Sequence, residues 1–449
     1  RSSVVGRQNQ SMRSTTTVAS ARAPAARRST LSAVRGPTRE VTRMEARAAA
    51  RVAARALGWA HVAPTPPQSQ VTHSHVLVGK RGHTQTRASP TFEVKARSVR
   101  RVFVATETYD EEMELGLDAA PALNVGGERP AEKQVKTYGP HARATATGRI
   151  LAIGDIHGDI QKLLDCLFIA GLIAQDADGI RWVGDDATVV QLGDVLDRGD
   201  AEISTVLLIR ELDKQARLFG GAFHMLNGNH ESLNVAGDFR YVTPGAFWES
   251  AMAAGLDEVE ARKSNDAVLQ ARWALYQPGG VMAKELSQNP TVLIVNDEIV
   301  FAHGGLLPHH VEYGIQRIND EVARWMRGAD CTDGSSPTPP FTAMGDSNSV
   351  MWNRTFGKER CSPYDRMHMK MQLDATLDRL GAKAMVVGHT PQMSGLNAEC
   401  NGRIWRVDVG MSSGVLGAEA QVLEFSKDEK SGDLLATLLT KDVSPYLEG

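Results

Sequence analysis

The chain of 449 residues contains 42% hydrophobic and 23% charged residues, and its formal net charge is −3. This balance is typical of a soluble globular protein with one large domain or two. No apolar run reaches the roughly 18–20 residues that a membrane helix needs, so we expect no membrane span. The cysteines Cys166, Cys331, Cys361 and Cys400 lack a C-x-x-C spacing, which indicates neither a disulfide framework nor a zinc cluster. We expect reduced thiols.

Charge is distributed unevenly along the chain. Residues 1–100 hold 18 Lys and Arg against 3 acidic residues, whereas the remainder holds 32 basic and 50 acidic residues. A segment rich in Arg, Ala, Ser and Thr and poor in acidic residues is typical of an organellar transit peptide. Within it, 41–57 can form a basic amphipathic helix. A disordered tail without a targeting role is the alternative, and the scarcity of aromatic residues disfavours a nucleic-acid arm.

Residues 101–147 are predicted to be a linker with some structure of its own. The linker begins with a strand-like run at 101–105 and continues into an acidic stretch at 110–114. No function follows from either feature. Because the chain beyond residue 100 is acidic, it offers no basic surface for nucleic acid, and we expect no such partner.

From residue 148 the pattern changes to short apolar runs alternating with helical segments. The strand-like runs lie at 149–153, 188–192, 222–226, 292–295, 299–302, 384–387 and 404–407. Helical spacing occurs at 160–170, 201–215 and 369–380, inserted helices are predicted at 245–287, and a loop at 328–348. Alternating strands and helices predict a layered α/β domain with a central sheet. We place this domain at 148–428 and a C-terminal tail at 429–449.

The first strand-like run leads into Gly-Asp-Ile-His-Gly at 154–158. Asp155 and His157 are two residues apart, so on an extended chain their side chains would point to the same side. A carboxylate beside an imidazole suits a divalent ion such as Mn, Fe or Zn. Taken alone, an Asp-x-His pair is more often a hydrogen-bonded turn than a pair of metal ligands.

Further strand-like runs end in similar polar clusters, which are Gly-Asp-Val-Leu-Asp-Arg-Gly at 193–199, Asn-Gly-Asn-His-Glu at 227–231, His-Gly-Gly at 303–305 and Gly-His-Thr at 388–390. Open α/β sheets bind ligands at the carboxyl ends of their strands. Each cluster alone has a simpler explanation as a turn, a helix cap or a core histidine. Together they offer nitrogen and oxygen ligands for two divalent ions, namely Asp155, His157, Asp194, Asn229, His303 and His389.

These motifs also carry a resemblance. Gly-Asp-x-His-Gly, Gly-Asp-x-x-Asp-Arg-Gly and Gly-Asn-His-Glu, followed by two later histidines, resemble the calcineurin-like metallophosphoesterases of the phosphoprotein phosphatase group over about 148–425. The sequences at 193–200, 227–242, 303–308 and 405–411 are more closely similar to the Shewanella-like protein phosphatases, in particular their chloroplast branch. This implies central β-sheets flanked by helices, with a dinuclear metal site at the carboxyl ends of the strands.

The resemblance implies a role for each motif residue. Asp155 and His157 would hold one ion, Asp194 would bridge both, and Asn229, His303 and His389 would hold the second. The two ions would present a bridging hydroxide that attacks phosphorus directly. Arg198 would clamp the phosphate, with Arg354 as a second clamp. His230, oriented by Asp197, would protonate the leaving group.

The resemblance further implies a phosphoprotein substrate of the Ser/Thr class, with Tyr open, and a chloroplast location, with the mitochondrion as the alternative. Residues 408–415 stand where eukaryotic Ser/Thr phosphatases have a Ser-Ala-Pro-Asn-Tyr loop, so their toxin sensitivity and regulatory subunits are not carried over. Two other functions compete: a small-molecule phosphoesterase on the same fold, such as a dinucleoside polyphosphate hydrolase, and a phosphate-binding scaffold without catalysis.

Overall fold

The computed structural model describes residues 139–447, apart from 177–178, 330–337, 429 and 431. The predicted transit peptide at 1–100 and the predicted strand at 101–105 lie outside the described residues. Within the described residues, the strands form one sheet of five, one of six and a small one of two.

The five-stranded sheet consists of β2 (Ile150–Ile153), β5 (Thr188–Gln191), β6 (Ala222–Met225), β12 (Val422–Lys427) and β13 (Leu434–Leu439). Its order is β13-β12-β2-β5-β6. β2, β5 and β6 run parallel, and β12 pairs antiparallel with β2. All four residues of β2 are buried, which suits a continuous apolar run in a parallel sheet covered on both faces.

The six-stranded sheet consists of β1 (Arg143–Ala144), β7 (Val292–Val295), β8 (Ile299–Ala302), β9 (Ala384–Val387), β10 (Asn397–Glu399) and β11 (Ile404–Arg406). Its order is β1-β7-β8-β9-β11-β10, and β8, β9 and β11 are parallel neighbours. A separate hairpin pairs β3 (Ile173–Asp176) with β4 (Gly179–Trp182).

The helices connect and cover these sheets. They are α1 (Ile160–Ile169), α2 (Glu202–Arg217), α3 (Asn229–Val235), α4 (Pro244–Ala253), α5 (Glu258–Lys263), α6 (Asn265–Tyr276), α7 (Val281–Leu286), α8 (Pro308–Tyr313), α9 (Ile315–Arg327) and α10 (Pro363–Leu380). α4 to α7 follow one another between β6 and β7, and we call them the helical insert.

The main core lies between the two large sheets. Successive residues of β7 point to opposite faces: Leu293 joins the core that contains Leu151 and Val189 of the five-stranded sheet. Ile294 instead packs into a second core with Met369 of α10. The described residues therefore form layers, and the six-stranded sheet is buried on both faces. Parallel strands of both large sheets can contribute residues to a single site.

The predicted layered α/β fold is confirmed, and every predicted strand from residue 148 onward is present to within one residue at each end. The inserted helices predicted at 245–287 are also present. α10 begins six residues before the predicted helix at 369–380, because the Ser362 side chain accepts a hydrogen bond from the Asp365 N–H and Pro363 occupies the first turn. The described part of the predicted loop, 338–348, has no helix or strand.

The sheets extend past both predicted limits of the domain, 148 and 428. β1 lies in the predicted linker and pairs with β7. β13 lies in the predicted tail and pairs with β12 along six residues. These two segments are edge strands, and they complete sheets whose inner strands carry the stronger sequence signal.

Two expectations from composition can be compared with the structure. In the described part of the chain no helix has the length and apolar character needed to cross a bilayer. Cys166, Cys361 and Cys400 are free thiols, as predicted, and Cys331 lies outside the described residues.

Leu423 on β12 is fully buried and lies opposite Ala152 of β2, so it supports the strand that leads into the first motif. Leu423→Ala is expected to lower the free energy of unfolding by about 2–5 kcal/mol, through lost burial and a residual cavity. The matched control is Leu435→Ala on β13, where the side chain is exposed and the change should stay within about 0.5 kcal/mol. Denaturant titration measures both, and equal losses would contradict the burial of Leu423.

Candidate functional site

Asp194 lies at the centre of the site, three residues beyond β5, and it is buried. Its Oδ2 atom is 3.2 Å from Nε2 of His303 and 3.9 Å from Nε2 of both His157 and His230. Its Oδ1 atom accepts a hydrogen bond of 2.9 Å from the N–H of His230. Imidazoles that follow strands of both large sheets therefore converge on one carboxylate.

Two overlapping groups of side chains in the described residues can hold a metal ion. One consists of His157, Asp194 and His230, and the other of Asp194, His303 and His389. Within each group the ligand atoms lie within 4.8 Å of one another, and Asp194 belongs to both. A carboxylate has two oxygens, so it can bridge two ions. The mixed carboxylate and imidazole donor set fits divalent Mn, Fe or Zn.

Two of the imidazoles are oriented by backbone carbonyls. Nδ1 of His157 lies 3.0 Å from the Leu196 carbonyl oxygen, and Nδ1 of His303 lies 2.8 Å from the Leu192 carbonyl oxygen. A carbonyl oxygen can only accept, so Nδ1 carries the proton in both rings. Nε2 is then the atom that faces Asp194, and in a neutral ring it offers a lone pair to a metal.

Asn229 is the first residue of α3 and lies beside His303. Its Oδ1 atom is 3.0 Å from Nε2 of His303, and this same nitrogen is 3.2 Å from Oδ2 of Asp194. An amide oxygen, a carboxylate oxygen and an imidazole nitrogen thus meet at one point. The structure therefore places Asn229 beside the second group.

The backbone at Asp155 and His157 differs from the extended chain considered above. His157 has a φ of 48°, so the chain turns at this residue and the two side chains are not related by strand alternation. Asp155 lies instead against the end of β9, where its Oδ2 accepts a 3.1 Å hydrogen bond from the His389 N–H. A Cβ on Gly388 would come within 2.4 Å of Asp155 Oδ1, so glycine permits this approach.

Burial and neighbouring charges separate the pKa values of these groups. Burial lowers the pKa of His157 to about 4 and that of His389 to about 2, which keeps both rings neutral. Burial alone would raise the pKa of Asp194, but the nearby His303, His230 and His157 outweigh it and lower that pKa well below its usual range. An ionised Asp194 beside the neutral rings of His157 and His389 is the state in which these three groups bind metals, whereas Asp194 raises the pKa of His303 against the effect of burial.

His230 and Asp197 form a buried pair. Nδ1 of His230 lies 2.6 Å from Oδ2 of Asp197, whose side chain is fully buried. Burial opposes charge on the ring, but Asp194 and Asp197 together raise the pKa of His230 above its ordinary value. The ring of Tyr241 approaches His230 edge-on, with 5.1 Å between centroids, and it is 40% exposed. The imidazole is therefore a candidate proton donor that lies beside an exposed ring.

The two predicted phosphate clamps lie on either side of the site. The Arg198 guanidinium lies 5.1 Å from the centre of the Tyr241 ring, and its Nε is buried without a hydrogen-bond partner among the described residues. Arg354 is exposed, and its Nη1 donates to the carbonyl oxygen of His389 and to Oγ1 of Thr390 at 3.2 Å each. Arg198 therefore lies on the side of the site that contains His230, and Arg354 lies on the side that contains His389.

Comparison with known proteins gives a consistent result. The family model for calcineurin-like phosphoesterases matches residues 148–393. Shewanella-like protein phosphatase 2 of Arabidopsis thaliana is 38% identical over 307 residues, covering 62% of this chain and 75% of that protein. Shewanella-like protein phosphatase 1 of Plasmodium berghei is 31% identical over 276 residues, covering 61% and 70%.

The chain belongs to the Shewanella-like protein phosphatases. It is therefore a metal-dependent phosphatase, and the small-molecule phosphoesterase alternative is not favoured. A solved structure of a cold-active protein tyrosine phosphatase has a TM-score of 0.51 and 22% identity, and covers 67% of this chain and 80% of that one. At this identity it supports the fold alone.

Glu231 belongs to the motif at 227–231, but the motif predicted no separate function for it. The carboxylate of Glu231 is fully buried and accepts hydrogen bonds from the backbone N–H groups of Gly228, Asp194, Val195 and Leu196, at 2.7 to 3.1 Å. The Asn-His-Glu motif was open to interpretation as a helix cap, and the bond to Gly228 does cap α3. The other three bonds fix the turn that presents Asp194.

Asp408 is a second buried carboxyl that the motifs did not single out. It follows β11, its Oδ1 accepts from the Gly410 N–H at 2.9 Å, and its side chain is hydrogen-bonded to Asp155. Burial raises the pKa of Asp408 to about 6, and burial together with Asp408 and Asp194 raises that of Asp155 well above its usual range. Asp408 is part of the 408–415 stretch, so this phosphatase has a carboxyl directly behind Asp155.

Proposed function

We propose that this phosphatase hydrolyses phosphate monoesters on proteins, with two divalent ions held on either side of Asp194. The observation that carries the proposal is that one buried carboxylate belongs to two overlapping ligand groups. Asp155 and His157 are assigned to the first ion, and Asn229, His303 and His389 to the second.

His230 also belongs to the first ligand group, but we assign it a different role. Its Nδ1 is held by the buried Asp197, and the neighbouring carboxylates raise its pKa, which favours a protonated ring. The pKa of His157 is lowered to about 4, which favours a neutral ring with a free lone pair. The Nδ1 partner separates the two roles: a buried carboxylate orients His230 and suits it to general acid catalysis, whereas backbone carbonyls orient the proposed ligands His157 and His303.

Two divalent ions held by these residues would supply an activated water molecule for direct attack on phosphorus, so no covalent enzyme intermediate would be required. Arg198 binds the phosphate oxygens, which is supported by its buried Nε that has no partner among the described residues. Arg354 binds the phosphate from the side of His389. His230 donates its proton to the oxygen that leaves with the substrate, and Asp197 stabilises the ring orientation.

We assign the substrate to the phosphoserine and phosphothreonine class. An alkoxide leaves poorly unless it is protonated, so the paired His230 and Asp197 suit alkyl phosphate esters. Phosphotyrosine is a second candidate. The ring of Tyr241 lies beside His230 and is exposed, so it can contact an aromatic leaving group. The donor set suits Mn, Fe and Zn alike. We propose Mn as the metal, with Fe or Zn as the alternatives.

Residues 1–100 are proposed to direct the protein to the chloroplast. The proposal rests on the arginine-rich, acidic-poor composition of this segment and on the chloroplast branch of the family that the motifs resemble. The mitochondrion is the alternative destination, because transit peptides of the two organelles share this composition.

Metal removal tests the dinuclear proposal. Purified protein supplied with Mn²⁺ is expected to release phosphate from phosphoserine and phosphothreonine peptides, and activity should fall to background after chelation because the water nucleophile is no longer activated. Phosphate release is measured on a matched panel of phosphoserine, phosphothreonine and phosphotyrosine peptides. Full activity in chelator-stripped protein would refute the metal-dependent mechanism, and exclusive cleavage of phosphotyrosine would refute the Ser/Thr assignment.

His230→Ala is expected to lower kcat on a phosphoserine peptide by about 10²–10⁴-fold, the usual contribution of a positioned acid. Metal content should stay near that of the wild type, because the proposed ligands are intact. His368→Ala removes an exposed imidazole from α10 and serves as the matched control, with unchanged kcat expected. Loss of metal in step with activity would instead make His230 a ligand.

The targeting proposal is tested by fusing residues 1–100 to a fluorescent protein in plant cells. We expect fluorescence inside chloroplasts, because the segment has the arginine-rich, acidic-poor composition of a transit peptide. The control fusion replaces the arginines with glutamines. Fluorescence that remains cytosolic with the native segment would rule out a transit peptide, and fluorescence in mitochondria would select the alternative destination.

A further inference from the structure

Arg272 lies in α6 of the helical insert, outside every sequence motif, and its side chain is fully buried. Its guanidinium pairs with Glu202 at an N–O distance of 2.8 Å and donates to Oγ of Ser250 at 2.9 Å. The ring of Tyr276 lies below it, at 4.6 Å from Cζ to the ring centre. Burying a charge costs free energy unless the charge is paired and hydrogen-bonded. Glu202 and Ser250 supply such partners for the Arg272 guanidinium.

The guanidinium also contacts the segment that carries His230. Nε and Nη2 of Arg272 both donate to Oδ1 of Asn234, at 3.2 and 2.6 Å. Nδ2 of Asn234 then donates to Oδ1 of Asp197 at 3.0 Å and to the His230 carbonyl oxygen at 2.9 Å. Asp197 in turn holds Nδ1 of His230 at 2.6 Å. A continuous chain of hydrogen bonds joins the insert to the imidazole.

The direction of each bond in this chain is fixed by Arg272. A guanidinium has donors only, so Asn234 must turn its carbonyl oxygen toward Arg272, and its amide donors then face Asp197. With one oxygen of Asp197 occupied by that amide, the other is left to accept from Nδ1 of His230. If the Asn234 amide were reversed, its oxygen would face the carboxylate and Asp197 would lose a hydrogen bond.

Glu202 holds the backbone of Asp197 in the same arrangement. Its Oε1 accepts from the Asp197 N–H at 2.7 Å, while its other oxygen pairs with Arg272. Asp197 has a φ of 68°, a conformation unfavourable for a non-glycine residue. Arg272 therefore acts on the carboxylate of Asp197 through Asn234 and by a direct ion pair with an N–O distance of 4.0 Å, and it acts on the backbone of Asp197 through Glu202.

We propose that Arg272 is a positioning residue for His230, which sets the orientation of Asp197 and keeps the imidazole aligned to protonate the leaving group. This inference rests on the proposed role of His230 as the general acid. It gives the helical insert a part in catalysis, although none of its side chains belongs to the metal ligand groups.

Leaving groups of different basicity separate this role from a merely structural one. The nitrophenolate of 4-nitrophenyl phosphate leaves without protonation, whereas the more basic phenolate of phenyl phosphate depends more strongly on a general acid. A variant with a misaligned acid therefore loses more kcat on phenyl phosphate than on 4-nitrophenyl phosphate. A variant that is only less stable, or that binds less metal, loses equally on both.

The experiment measures kcat on both esters for Mn²⁺-loaded wild type, Arg272→Met and Arg272→Lys. In Arg272→Met we expect the ratio of kcat for 4-nitrophenyl phosphate to kcat for phenyl phosphate to rise about tenfold or more. Arg272→Lys should fall between Arg272→Met and the wild type, because an ammonium keeps the charge but lacks the planar fork. Arg262→Met, which removes an exposed arginine from the neighbouring α5, is the control with an unchanged ratio.

Arg272→Met leaves Glu202 as an unpaired buried charge. The double variant Arg272→Met/Glu202→Gln removes both charges and keeps a side-chain oxygen that accepts from the Asp197 N–H. An unchanged ratio in whichever of these variants folds would overturn the inference, and so would failure of both to fold, since Arg272 would then be structural only. His230→Ala separates this result from the proposed function. If that variant retains turnover, the general acid assignment itself is wrong.

Discussion

The convergence of histidines on the Asp194 carboxylate is the interaction on which the rest of the site depends. Asp194 is buried, so its charge acts on its neighbours at short range and with little screening. The same charge raises the pKa of His303 and His230, although burial opposes this. Among the described residues, Asp194 is thus the one negative charge that His157, His230 and His303 all face.

Holding a carboxylate at this point costs backbone strain. Asp194, Asp197 and Arg198 all have positive φ values, at 53°, 68° and 68°, within a single five-residue turn. Such conformations cost of order 1–3 kcal/mol each and persist only where the surroundings impose them. Glu231 provides that support, because it accepts three N–H groups from this turn. The motif Asn-Gly-Asn-His-Glu thus couples a strained turn after β5 to a helix after β6.

The sequence predicted most of the sheet strands and most of the site because both have local signals. Each strand was a short apolar run, and each candidate ligand followed a run directly, so the meeting of strand ends implied that distant residues such as Asp194 and His303 lie together. β13 was missed because its run of leucines has no strand alternation and lies mostly exposed at a sheet edge. Arg272 could not be found in this way, because it lies on a helix and its contacts depend on how separate layers pack. Asp408 does follow a predicted run, at 404–407, but the sequence does not show that its side chain meets Asp155.

The candidate ligands come from both large sheets, which face each other across the main core. Asp155, His157, Asp194 and Asn229 follow strands of the five-stranded sheet, whereas His303 and His389 follow strands of the six-stranded sheet. Only the fully packed layers bring these donors together, so an ion that binds them binds the native state and not the unfolded chain. Metal concentration then becomes a determinant of thermodynamic stability by mass action. A metal bound at this candidate site would in this sense be a cross-link between the sheets, and its strength would be set by the surrounding solution.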